Sequence, residues 1–265
     1  ESPTELNDRA REAWERNAEF WDARIGEGNR FNLELIRPAI QRLLGSVEGA
    51  TVLDVGCGNG QISRWLADLG ATVVAFDFST SFIELAINRS DAYAGRIDYH
   101  TLDGTDETAL LGLGPARFDA VVASMVLMDM ADIMPLISAA RSLLRPEGSF
   151  VFAVTHPCFN TSYASFTAER IEGDKGDPRT EFSVRVRRYK TMRVSRGMGI
   201  LGQPVPQFYF NRTLAELFES FFSRGFVLDG LEEPAFEGAP EGDQPAWRNL
   251  TEIPPVLVAR MRPAP

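Results

Sequence analysis

Asp54, three glycines at 56, 58 and 60, and Asp77 are the residues of this 265-residue chain whose types and spacing are best suited to chemistry. They lie in Val52-Leu53-Asp54-Val55-Gly56-Cys57-Gly58-Asn59-Gly60, and Asp77 closes a second apolar run, Ala71-Thr72-Val73-Val74-Ala75-Phe76. An apolar run entering a glycine cluster, then a helix, then an apolar run ending in a carboxylate is the layout of a nucleotide-binding βαβ unit. The glycines let the backbone turn sharply and approach a ligand with no Cβ in the way. At the carboxyl end of the second strand, Asp77 can accept hydrogen bonds from ribose hydroxyls.

The spacing narrows the nucleotide. A dinucleotide site uses G-x-G-x-x-G, with a helix N-terminus facing a pyrophosphate. Here the glycines fall as G-x-G-x-G, and Gln61 stands where the third glycine of that pattern belongs. Asp54, two residues before the first glycine, suits an ammonium or sulfonium group better than a pyrophosphate. A nicotinamide-dependent oxidoreductase and a non-catalytic cofactor-binding module on the same fold are the alternative readings.

The stretch D-x-G-x-G-x-G ahead of a helix resembles the first motif of the class I S-adenosylmethionine-dependent methyltransferases, and the resemblance runs from Trp21 onward. It implies S-adenosyl-L-methionine as cofactor and S-adenosyl-L-homocysteine as product. It further implies that Asp54 and the backbone of Gly56, Cys57 and Gly58 serve the methionine end, that Asp77 binds the ribose and that Phe78 lies against the adenine. Asp103, placed at the end of the third strand, is the counterpart of the carboxylate that bonds the adenine amino group, with Gly104 or Thr105 supplying an amide. Phe118–Ser124 is similar to the family's fourth strand, and Leu143-Leu144-Arg145-Pro146-Glu147-Gly148 to its turn before the fifth. Glu147 departs from the glycine usual there. Thr155-His156-Pro157-Cys158-Phe159, Tyr209-Phe210-Asn211-Arg212-Thr213-Leu214 and Glu232-Glu233-Pro234 resemble a subset acting on small molecules. The implied fold is a Rossmann-like α/β domain. Its seven-stranded sheet has the order 3-2-1-4-5-7-6 with strand seven antiparallel, helices on both faces and a substrate cap.

Methyl transfer from a sulfonium is an in-line displacement, and alignment in a dry pocket can lower the barrier by roughly 7–11 kcal/mol. Ligands in such sheets bind beyond the carboxyl ends of the strands. That rule points to Ser124–Asp129 after strand four, with Ser124 on the cofactor, and to His156 after strand five. His156 could act as general base for an acceptor hydroxyl or ammonium; a structural His-Pro turn is the other reading. Met125 and Met128, with Leu127 and Met130 beside them, and Tyr209 are candidates to line an adaptable acceptor pocket. Trp14, Phe20, Trp21 and Phe31 could form an aromatic lid, Trp21 foremost, whose faces favour a cation. Arg185, Arg187, Arg188, Lys190, Arg193 and Arg196 concentrate positive charge, either for an acidic substrate or as a solvated strand or homodimer contact that could pair with Glu237, Glu241 and Asp243.

These residues must be positioned by alternating short strands and helices. The periodicity predicts helices over residues 4–24 and 32–44, then strands at 51–55, 72–76, 97–101, 118–124 and 149–155, with helices at 61–69, 81–88 and 133–144. A turn is expected at 145–148 and an irregular polar insertion at about 156–207, with an exposed strand near 182–187. A helix over 213–224 and an antiparallel pair at 225–228 and 255–261 close the chain. The expected division is a helical cap over 1–45 and a methyltransferase domain over 46–265, the insertion serving as substrate cap. A net charge of −10 argues against nucleic-acid binding. Two cysteines are too few for a disulfide framework. Neither a membrane-length apolar run nor a basic-apolar leader is visible, so a cytoplasmic enzyme acting on a small molecule, without a metal, is the expectation.

Overall fold

The computed structural model describes residues 1–172, 176–238 and 246–264. In chain order the strands are β1 (Thr51–Val55), β2 (Thr72–Asp77), β3 (Ile97–Thr101), β4 (Phe118–Ser124), β5 (Leu144–Thr155), β6 (Ala164–Glu172) and β7 (Pro178–Val186). They continue with β8 (Ser195–Gly197), β9 (Gln207–Tyr209), β10 (Phe226–Glu232) and β11 (Val256–Pro263). The helices are α1 (Pro3–Ile25), α2 (Arg37–Leu44), α3 (Gln61–Asp68), α4 (Thr80–Asn88), α5 (Glu107–Leu111), α6 (Met134–Leu143) and α7 (Leu214–Phe222).

Seven strands form one sheet in the order β10-β11-β5-β4-β1-β2-β3. β11 runs antiparallel to both β5 and β10, whereas β1 to β5 pair in parallel. This is the expected 3-2-1-4-5-7-6 sheet read from its other edge. Parallel strands covered on both faces must be apolar on both, and alternation divides their side chains between two cores. Leu53, Val74, Phe76, Val121, Phe150 and Phe152 pack with α6 and α7 on one face. Val52, Val73, Ala75, Val122 and Val151 pack with α2 and α3 on the other.

Several elements differ from the sequence expectations. The predicted helix over 32–44 is a π-helical segment, Phe31–Ile36, running into α2. Pro38 has no N–H for a bond to Glu34, which is reason enough for the wider turn there. The predicted turn at 145–148 is a bulge within β5: Phe118 pairs with Leu144, whereas Ala120 already pairs with Ser149. The insertion is more regular than its composition suggests. β6 and β7 make an antiparallel hairpin, and β8 pairs with β9. Helix α5 was not expected, because only Leu110 of it is buried and one buried residue makes no periodicity. Among the described residues no helix is long and apolar enough to cross a membrane.

Candidate active site

The glycine turn leaves β1 at Gly56, whose φ is +61° and whose Cβ would stand 2.3 Å from Val126 Cγ2. Only glycine fits that combination of left-handed backbone and close approach. Gly60, at φ +79°, begins α3 with Tyr99 Oη 2.3 Å from where a Cβ would be. The turn and the end of β2 lock together. Gly58 N donates to Asp77 Oδ2 at 3.0 Å, and Ser79 N donates to Asp77 Oδ1 at 2.9 Å. Asn59 fastens the turn to the cap, donating through Nδ2 to Asp22 Oδ1 of α1 and to Gly26 O.

Asp54 is 1% exposed and accepts a bond from Ser63 Oγ at 2.5 Å. Burial pushes its pKa up to about 7, against the Ser63 bond and with help from the charge of Asp77. Burial likewise raises Asp77 to about 6, although the amides of Ser79 and Gly58 oppose it. Neither carboxylate has a cationic side-chain partner among the described residues.

A cavity of about 730 Å³ opens beyond the carboxyl ends of the strands. It gathers most of the residues singled out in the sequence: Trp21, Asp54, Gly56, Cys57, Gly58, Asp77, Phe78, Asp103, Gly104, Ser124, Met125, Met128 and Tyr209 all line it. Trp14 and Phe31 join them, while Phe20 and Leu127 do not. The Trp14 and Trp21 rings meet edge to face at 5.0 Å.

Three expectations are corrected. Thr105 stands behind Asp103, with both its amide and its hydroxyl donating to Asp103 Oδ1 at 2.8 Å, so that amide is not free for an adenine. β3 ends at Thr101, and Asp103 sits in the loop beyond it, held by Asn7 Nδ2 at 2.8 Å. His156 is absent from the cavity wall and 1% exposed. Its Nδ1 accepts from Cys158 N at 3.1 Å, so Nε2 carries the proton and donates to Glu233 Oε1 at 2.8 Å. Burial lowers its pKa, against the bond to Glu233. A neutral ring with both nitrogens engaged has no lone pair for an acceptor. It braces the end of β5 instead.

The structure adds residues that the sequence reading passed over. Asp129 lines the cavity with Oδ1 buried and unpartnered, and Ser124 Oγ, on the same wall, is likewise without a partner. Asp129 closed the Ser124–Asp129 segment picked out by the strand-end rule, but only packing reveals that its carboxylate turns inward. Asn7 and Asn32 also reach the wall. Of the basic segment, Arg196 lines the cavity. Glu241 and Asp243, expected as its acidic partners, lie outside the described residues.

Residues 53–152 match the methyltransferase domain family. That stretch runs from β1 into β5 and contains the glycine turn and Asp77. The same fold recurs in an S-adenosylmethionine-dependent methyltransferase from Mesorhizobium loti, with a TM-score of 0.63 and 22% identity over 85% of this chain and 96% of that one. It recurs in the 1,6-didemethyltoxoflavin-N1-methyltransferase of Burkholderia thailandensis, at a TM-score of 0.62 and 17% identity over all of this chain and 92% of that one. In sequence the chain is 26% identical to an uncharacterised Haemophilus influenzae protein over 85% of its own length and 86% of the relative's. It is 33% identical to a ubiquinone biosynthesis O-methyltransferase of Xanthomonas campestris over 49% of its length, a match spanning about half (53%) of that relative.

The residues present fit S-adenosylmethionine, the cofactor that the sequence resemblance implies. The glycine turn at Gly56 leaves room where a side chain would clash, and two buried carboxylates at the ends of β1 and β2 lack counter-charge. The rings of Trp14, Trp21 and Phe78 supply apolar and aromatic wall.

Proposed function

We propose that the protein moves the methyl group of S-adenosylmethionine to an oxygen or nitrogen atom of a small-molecule acceptor. The observation that carries this reading is a single cavity running from the glycine turn and Asp77 to Met125, Met128 and Tyr209, roofed by α1 and the 196–200 segment. Such an enclosure suits a compact acceptor. Residues 1–45 and about 156–207 then act as caps on the domain formed by the rest of 46–265. The O-methyltransferase relatives and the N-methyltransferase of the same fold support a heteroatom acceptor.

When bound, the cofactor supplies an electrophilic methyl group on a positively charged sulfur. Asp54 and the backbone of the glycine turn hold its amino-acid end, and Asp77 accepts from its ribose. Trp14 and Trp21 exclude water and face the cation. Met125, Met128 and Tyr209 shape the acceptor end. Most of the rate enhancement in such a site comes from alignment.

The test is calorimetry with S-adenosylmethionine and S-adenosylhomocysteine, NAD as control and Asp77→Ala alongside. It is followed by mass spectrometry of phenol, catechol and amine panels. Micromolar binding of the adenosyl ligands that the variant loses, with methylated product from at least one panel, is the expected result. Binding of NAD in their place would sink the reading.

A further inference from the structure

Among the described residues, three buried side-chain polar atoms lack a hydrogen-bond partner, and two of them, Ser124 Oγ and Asp129 Oδ1, belong to residues that line this one cavity at the end of β4 and just beyond it. Asp129 is 9% exposed. A buried polar atom left without a partner costs stability, so its place in a ligand cavity marks where a ligand's own hydrogen-bonding group belongs. The wall around it is apolar, built by Met125, Val126, Met128 and Met130, and Tyr209 faces it from β9.

We propose that Asp129 is the acceptor-binding carboxylate and general base: its carboxylate receives the O–H or N–H of a phenol or amine acceptor and takes its proton during methyl transfer. This rests on the methyltransferase reading above. In the step, the acceptor heteroatom's lone pair forms the bond to the methyl carbon, and the pair of the broken carbon–sulfur bond stays on sulfur. The proton leaving the heteroatom goes to Asp129, and the neutral acid returns it to water once product leaves. An ammonium acceptor gives up one proton to the carboxylate first, which frees the lone pair for attack.

Burial raises the pKa of Asp129 well above the carboxylate range, with the charge of Asp77 adding to it. Its ionised form is therefore a stronger base than an exposed aspartate. The titratable and charged groups facing the same space are Asp54 and Cys57 from β1 and its turn, Asp77 from β2, Asp103 from the loop after β3, Arg196 from β8 and Tyr209 from β9. Burial and the charge of Asp129 raise Tyr209 far enough that its phenol stays protonated, leaving the carboxylate as the basic group of this pair.

The test is Asp129→Asn, a neutral replacement of the same shape, compared with wild type in three measurements. These are S-adenosylhomocysteine affinity, kcat against pH with whichever panel acceptor is turned over, and thermal stability at pH 8 with S-adenosylhomocysteine bound. Expected is unchanged affinity for S-adenosylhomocysteine and a kcat lower by roughly 10²–10⁴-fold, the span of general-base contributions. The rise of kcat with pH should be lost, and Tm should be equal to or above that of wild type, because burial penalises the carboxylate's charge. Wild-type kcat and pH profile in the variant would overturn the proposal, and so would a Tm at pH 8 well below wild type, the mark of a structural carboxylate. Failure of the wild type to bind S-adenosylhomocysteine would instead sink the function reading beneath it.

Discussion

Gly56 shows how one residue decides whether the cofactor end of the cavity can exist. A left-handed φ and a contact with Val126 both exclude a side chain there. Gly56→Ala is expected to strain the backbone and push the β4 loop outward, costing about 1–3 kcal/mol in urea unfolding and weakening S-adenosylhomocysteine binding in calorimetry. Unchanged stability would mean that Val126 yields freely. Asp54, Gly56 and Asp77 were legible as a site because their type, spacing and local structure are encoded within one βαβ unit. His156 was legible as a strand-end residue, but the groups that occupy its nitrogens, Cys158 N and Glu233, are set by the local turn and by a residue 77 positions away. Periodicity carries no trace of that second partner.

At the scale of elements, the segment between β4 and α6 carries the wall proposed for the acceptor, and it is held from outside itself. Met125 leaves β4 at φ +58°, a conformation rare for a side-chain-bearing residue and typical of functional turns. Arg212, just before α7, fixes the segment by donating to Leu127 O at 2.7 Å and Met130 O at 2.8 Å, with weaker bonds to Phe210 O and Ala131 O. Burial lowers its pKa to about 10, which still leaves it charged at neutral pH. Arg212→Met keeps the stem and strands those carbonyls. It should cost roughly 3–5 kcal/mol and raise the acceptor KM more than it weakens S-adenosylhomocysteine binding. Denaturant titration and acceptor kinetics read both, and equal losses at the two ends of the cavity would argue against a role confined to this segment. The Tyr209-to-Leu214 stretch drew notice by resemblance, yet its work as a clamp on a loop more than eighty residues earlier is a tertiary fact.

For the whole molecule, the buried carboxylates make stability fall as the site charges up. Asp54 and Asp77 have folded pKa values of about 7 and about 6, above the unfolded value near 3.9. A raised carboxylate pKa contributes stability in full below the unfolded pKa, and that contribution is lost as pH rises through the folded pKa. Asp22, Glu15 and Asp229 pull the other way. Burial alone would raise them, but bonds from Arg89 and Asn59, from Ser81 and Thr80, and from Arg260 and Arg262 lower them. Their contribution is lost as pH falls below about 4. The ligand-free protein should therefore be most stable near pH 4 and lose Tm as pH rises to about 7. S-adenosylmethionine, which brings positive charge to Asp54, should raise Tm more at pH 8 than at pH 5. Scanning calorimetry with and without ligand checks this, and Asp54→Asn should flatten the ligand-free slope.

The alternating strands and helices, the antiparallel last pair and the glycine turn were determined by the sequence alone, through short-range pattern: apolar runs, helix-period stripes, and glycines where only a bare backbone fits. The sheet order and the cofactor class came from resemblance to a known family, not from that pattern. The π-helical start of the second helical segment, the bulge in β5 and the hairpin order of the insertion were left to packing, because polar, weakly periodic residues take their conformation from what they touch. So was the inward turn of Asp129. A carboxylate's burial, its missing partner and the distance to a facing wall are properties of the assembled cavity, and they arise only when segments far apart in the chain close around the same space.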